Sequence, residues 1–219
     1  MSEKETIDSL GFWQYNQAKS KTPQPKKLYE PQGRDAFQTP DYAVDLLLPF
    51  LPKREIYYIW EPAAGEGKIS KRLLSKLKCS VWSTDIRCTE YVKETNLLNF
   101  IEKEKHPFYW IDRGKEPIII TNPPFSLKID FYERCLEYDI PFALLIPADY
   151  AGWNINACQS LGCEKIIPTR RIDYITPSGK SGESGHTADF HSMWLTWGFG
   201  LGKTETFVEL SLEDKKLNI

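Results

Sequence analysis

The residues best suited to chemistry begin with Thr121-Asn122-Pro123-Pro124-Phe125, directly after the run Ile118–Ile120. Consecutive isoleucines predict a short strand buried on both faces. The prolines stop it, because neither can donate a ladder hydrogen bond. Asn122 therefore falls at the carboxyl end of a buried strand, where open α/β sheets bind ligands. Its side chain offers an acceptor oxygen. Pro123 offers a carbonyl aimed by the rigid Pro-Pro turn, and Phe125 offers a flat apolar face. Two acceptors and a stacking surface suit one amino group on a heteroaromatic ring. They would hold its two N–H bonds and stabilise the positive charge that develops as a methyl group arrives. The plain alternative is a rigid loop with a structural asparagine.

A second stretch, Glu61-Pro-Ala-Ala-Gly65-Glu-Gly67, separates a strand-like segment from an amphipathic one. Glycines there let a ligand approach the backbone, and a following helix offers free N–H groups. Asp85 closes the next strand-like segment, about 20 residues after the turn, where an acid can accept both hydroxyls of a ribose. The pair predicts a cofactor containing adenosine. Ser70 stands where the dinucleotide fingerprint has its third glycine. Glu61 would repel a pyrophosphate but accept the amino group of a methionine moiety. This favours S-adenosylmethionine over NAD. The alternative is a glycine turn required only for helix–strand packing.

The elements that must position these residues read as alternating strands and helices. Strands are predicted over 55–60, 79–86, 117–121 and 141–147, with helices over 68–78 and 128–139. A further helix follows "FQTP", with Thr39 as its cap, Pro40 at its first position and Val44, Leu47, Leu48 and Leu51 on one face. Alternation of this kind predicts a Rossmann-like, doubly wound, mostly parallel sheet. Beyond residue 162, "CEKIIP", "RIDYIT" and "HSMWLTWGF" read as strand-like pieces that complete the sheet as C-terminal antiparallel strands. A Gly- and Ser-rich loop interrupts them. Residues 1–35 read as a flexible, extended arm, rich in proline and lysine from position 18 onwards. The domain is then 36–210, followed by a tail, 211–219.

Composition narrows the class. The chain has 219 residues, 41% hydrophobic and 26% charged, as expected of a water-soluble domain. No apolar run approaches the ~20 residues of a membrane span, and "MSEKETIDSL" lacks a signal-peptide core, so the reading is cytosolic. Five cysteines without a C-x-x-C pair argue against structural zinc. The net charge of −2 gives no overall nucleic-acid signature, so any such binding needs local patches.

"FQTP", "EPAAGEG", "TDI" and "TNPPF", in that order, resemble the class I S-adenosylmethionine-dependent methyltransferases that act on adenine N6. "LLIPADYAGWN", "RRIDYITPSGKSG" and "ADFHSMWLTWGFG" further resemble phage-type adenine DNA methyltransferases. The resemblance implies that Phe37 and Thr39 flank the methionine end of the cofactor. It implies that Glu61, Ala63 and Gly65 line its carboxylate and amino group, and that Asp85 binds the ribose with Ile86 packed on the adenine. Asn96 takes the place of an Asp that often binds the adenine amino group. Asn122, Pro123, Pro124 and Phe125 form the implied catalytic motif, with no metal. A flipped base is implied, because a paired N6 cannot reach a buried methyl donor. Tyr174 is the candidate second stacking face, and Arg170, Arg171 and Lys180 are candidate phosphate contacts. Sequence reading would come from the arm at 15–35, the "ADYAGWN" loop and the loop at 176–190, which predicts a short or relaxed recognition site. DNA is the expected partner, with RNA open. The oligomeric state, monomer or dimer, is also open. Protein glutamine as acceptor and a cofactor binder without catalysis are the competing readings.

Overall fold

The computed structural model describes residues 33–55, 57–93, 96, 98–102, 114–175 and 190–216. The chain divides into Met1–Glu30 and Pro31–Ile219, and every described residue lies in the second unit. The predicted arm before residue 33, the loop at 176–189 and Lys180 lie outside the described residues.

Seven strands form one sheet: β1 (Tyr57–Glu61), β2 (Cys79–Ser83), β3 (Pro117–Thr121), β4 (Phe142–Pro147), β5 (Glu164–Pro168), β6 (Ser192–Trp197) and β7 (Glu205–Val208). Their order is β2-β1-β3-β4-β6-β5-β7, with β6 alone running against its neighbours. This is the class I methyltransferase fold. The antiparallel strands predicted at the C-terminus reduce to β6, since β5 and β7 pair in parallel.

The run of isoleucines explains why β3 lies inside the sheet, between β1 and β4. Every residue of β3 is buried. Ile118 and Ile120 face one core, with Tyr42, Val44, Ile69 and Leu73 from the helices α1 (Asp41–Asp45) and α2 (Lys68–Lys76). Ile119 faces the other, with Phe131, Tyr132 and Cys135 of α3 (Lys128–Tyr138) and Ala157 of α4 (Gly152–Ser160). A strand with apolar side chains on both faces needs such cover on both sides. The carboxyl ends of β1, β3 and β4 therefore open at one edge of the sandwich, with Glu61 and Asn122 at two of them.

Local differences have local causes. Thr39 is buried and makes no capping bond; Pro40 is the N-cap, and α1 ends at Asp45. Pro49 has no N–H for the Asp45 carbonyl, so the chain continues as a 3-10 turn, Leu48–Phe50. Of the segment "RIDYIT", residues 171–175 are irregular, and among them only Ile175 pairs, in a single bridge to Gln38. Helix α4 buries only Asn154 and Ala157, so it has no apolar stripe to announce it. A last helix, α5 (Leu212–Lys216), is held by Lys215 at 2.8 Å from Asp173.

Candidate cofactor and acceptor site

The turn after β1 is built from two glycines and two buried acids. Gly65 and Gly67 have φ of 50° and 72°, in the left-handed region that favours glycine. Asp85 lies two residues beyond β2 and accepts bonds from the Gly65 amide and from its neighbour Arg87, both at 2.9 Å. Glu61 accepts the Ser70 amide at 2.9 Å and the Ser70 hydroxyl, and that hydroxyl lies 2.6 Å from Ser83 Oγ. The sequence reading expects free N–H groups here; instead the two carboxylates occupy the Gly65 and Ser70 amides. Burial pushes the Glu61 carboxyl up to about 8, opposed by the two Ser70 bonds and reinforced by nearby Asp85.

This arrangement bears directly on the ligand. A helix start attracts an anion through its N–H groups and dipole. At α2 the Glu61 side chain already takes up the Ser70 amide and hydroxyl, which leaves poor accommodation for a pyrophosphate. Each oxygen of Asp85 holds one bond and keeps a lone pair, so the acid that braces the turn can still accept ribose hydroxyls. Buried acids beside a glycine turn could hold a cationic ligand.

The loop after β2 clasps the turn. Thr89 donates to the Gly65 carbonyl at 2.8 Å and receives the amides of Tyr91 and Val92. The Tyr91 ring lies against Gly67, where an added Cβ would come within 2.4 Å of it. Neither Thr89 nor Tyr91 is among the sequence candidates. The Thr89 hydroxyl within "RCTEYV" is a local turn signal, but its reach back to Gly65 has none. Ala63 and Ile86 are half-buried beside the turn and Asp85, respectively. Asn96 is half-buried, and its amide bonds the Lys93 carbonyl.

The acceptor side is less complete. Asn122 Oδ1 is buried and has no hydrogen-bond partner among the described residues, and the same holds for Thr121 Oγ1. A buried carbonyl oxygen left unpaired costs roughly 1–3 kcal/mol, so it marks a place where a donor is wanted. Pro123 is buried, whereas Pro124 and Phe125 are half-buried. Phe125 meets Tyr174 and Phe190 edge-on, with ring centroids 5.8 and 5.2 Å away. Tyr174 is only 2% exposed, stacks on Phe37 at 6.0 Å and donates to Ser192 at 2.9 Å. It therefore stands behind Phe125 as a support and presents no open face of its own. Phe37, Phe125 and Tyr174, distant in sequence, thus share one aromatic cluster.

Arg170 and Arg171 are exposed just beyond the carboxyl end of β5, the sheet edge that also carries Asn122. Among the described residues no cluster of His, Cys, Asp or Glu could hold a metal ion, and no helix is long and apolar enough to cross a membrane.

No protein-family model matches the sequence, and no curated protein matches it. Solved structures do. The methyltransferase subunit of a type I restriction-modification system from Streptococcus thermophilus superposes with a TM-score of 0.50 at 11% identity, over 81% of this chain. The match spans 48% of that subunit, so this chain corresponds to about half its length. A putative RNA methyltransferase from Pyrococcus horikoshii gives 0.48 at 13% identity, over 78% of this chain and 92% of that one. What the chain shares with the Streptococcus thermophilus subunit is the class I methyltransferase fold.

Proposed function

We propose that the chain transfers a methyl group from S-adenosylmethionine to the exocyclic N6 amino group of adenine in DNA, after the base is flipped out. The observation that carries this reading is Asn122 Oδ1, a buried acceptor without a donor at the end of β3. It supports an amine-bearing substrate, because an N–H pointed at that oxygen removes the penalty of its isolation.

When bound, the cofactor supplies an electrophilic methyl on a sulfonium. Glu61 and the Gly65 turn receive its methionine end, with Phe37, Thr39 and Ala63 beside them. Asp85 takes the ribose, and Ile86 and Asn96 take the adenine. Asn122 Oδ1 and the Pro123 carbonyl accept the two N–H bonds of the substrate amine. They orient its nitrogen lone pair and grow stronger partners as the nitrogen becomes cationic. Formation of the N–C bond would leave the electron pair of the broken S–C bond on the cofactor's sulfur, and the nitrogen so oriented would lose its proton to water. Phe125 stacks on the base, kept in place by Tyr174 and Phe190 behind it. Arg170, Arg171 and Lys180 hold backbone phosphates.

Mapping of N6-methyladenine in DNA from cells expressing this chain tests the reading. The mark should appear with the parent chain and not with Asn122→Ala. Methyl label found instead in RNA adenine or in glutamine of protein would replace the acceptor while leaving the cofactor reading intact.

A further inference from the structure

One five-residue segment touches both halves of the site. Asp35 accepts the Ser126 amide at 3.1 Å and the Ser126 hydroxyl at 2.6 Å, directly beside Phe125. Two residues on, Phe37 stacks on Tyr174. Gln38 then pairs in both directions with Ile175, through N–H···O bonds of 2.8 and 3.0 Å. Its side chain lies on the glycine turn: a Cβ added to Gly65 would be 3.3 Å from Nε2 and 3.4 Å from Oε1. The Gln38 carboxamide makes no hydrogen bond among the described residues. Thr39 anchors the end of the segment by burial. A ligand settling on the Gly65 turn meets this carboxamide, on a segment whose other end grips the loop after Asn122.

We propose that Gln38 is a cofactor-contacting residue and Asp35 a positioning residue, and that the segment they span sets the Asn122 loop when the cofactor arrives. The proposal rests on the reading of the glycine turn as the S-adenosylmethionine site. Gln38 accepts or donates a bond at the polar methionine end and thereby fixes its own backbone. The bridge to Ile175 tightens with it, and Asp35 draws Ser126 into a single position. Asn122 and Pro123 then point their oxygens at the substrate amine only when a methyl donor is in place. An acceptor pair held this way disfavours capture of substrate by a protein that has no methyl to give.

Amide hydrogen exchange, read residue by residue in the full chain, tests this with S-adenosylhomocysteine as the probe. In the parent the probe should slow exchange at Gly65, Ile175 and Ser126, the last two by about tenfold. In Gln38→Ala at saturating probe, Gly65 should remain protected while the Ser126 response is lost. In Asp35→Ala, which removes both acceptors of Ser126, Ile175 should respond and Ser126 should not. Protection of Ser126 in Gln38→Ala equal to that of the parent overturns the proposal. So does a parent in which Gly65 responds and Ser126 does not, and in that case the cofactor reading survives. A parent in which no amide responds removes both.

Discussion

The glycine turn and the Asn122 loop stand at the same edge of one sheet but differ in how their polar groups are satisfied. Around the turn, the carboxylates of Glu61 and Asp85, the hydroxyls of Ser70 and Thr89 and the amides of Gly65 and Ser70 are all partnered. Around Asn122 the decisive oxygen has no partner among the described residues, and neither has the neighbouring threonine hydroxyl. The bonds around the turn hold its shape before the ligand comes, although Arg87 Nε beside Asp85 has no hydrogen-bond partner among the described residues, whereas the Asn122 oxygen waits for a group to complete it. The difference teaches where each ligand gains its binding energy. On the proposed reading, the turn contributes preorganisation to cofactor binding, and the Asn122 loop contributes a bond formed only with substrate.

Opening the contrast at its acceptor end gives the largest expected effect. Asn122→Ala should lower turnover by about 10²–10³, as loss of one contact to developing charge does. Its affinity for S-adenosylhomocysteine should stay within about twofold of the parent, since Asn122 makes no bond to the turn. Paired titration calorimetry and single-turnover rates separate the two quantities. On the cofactor side, Gly67→Ala meets the Tyr91 ring as well as the left-handed penalty of roughly 1–2 kcal/mol. Thermal unfolding should show a loss of at least about 2 kcal/mol. Gly67→Ala combined with Tyr91→Ala should regain the part due to the ring, and no recovery would locate the whole cost in the backbone.

Asp85→Ala removes both the brace on Gly65 and the ribose acceptor. Cofactor affinity should fall by about 1.5–3 kcal/mol, the range for charged hydrogen bonds. An unchanged affinity by calorimetry would leave Asp85 a brace only. The smallest effect sharpens the comparison through pH. Burial raises the Glu61 carboxyl from 4.5 to about 8, so the folded state holds this proton where the unfolded chain has released it. The contribution of Glu61 is fully present below about 4.5 and declines as pH rises towards about 8. Denaturant titrations of the free protein should show this decline, and Glu61→Gln should flatten it. The cofactor's ammonium favours ionised Glu61, so binding near neutral pH should release a proton and strengthen with rising pH. Calorimetry in buffers of different ionisation enthalpy reads that release.

Legibility followed the reach of the interactions. The runs "PIIIT" and "FALLIP" announced β3 and β4, because a strand buried on both faces needs apolar residues throughout. The prolines after Asn122 marked the strand end for the same local reason. Helix α4 and strand β7 left no such trace: one buries two residues, and the other is a four-residue edge strand with Phe207 exposed. The role of Tyr174 was misread, since an aromatic near two arginines looks like a stacking surface until Phe37, 137 positions away, covers it. Asp35 and Ser126 are 91 residues apart, and Gly65 and Thr89 are 24 apart. Such contacts depend on how the chain closes in space, and no local spacing encodes them.

The central claim is that the unpaired oxygen of Asn122 receives an adenine amine. It is tested most directly by incubating the purified chain with S-adenosylmethionine carrying a labelled methyl group and a mixture of DNA sequences, then digesting the DNA to nucleosides for mass spectrometry. The account predicts label in N6-methyldeoxyadenosine with the parent chain and essentially none with Asn122→Ala, although both bind the cofactor. Label on cytosine carbon, or equal N6 labelling by the parent and Asn122→Ala, would contradict it.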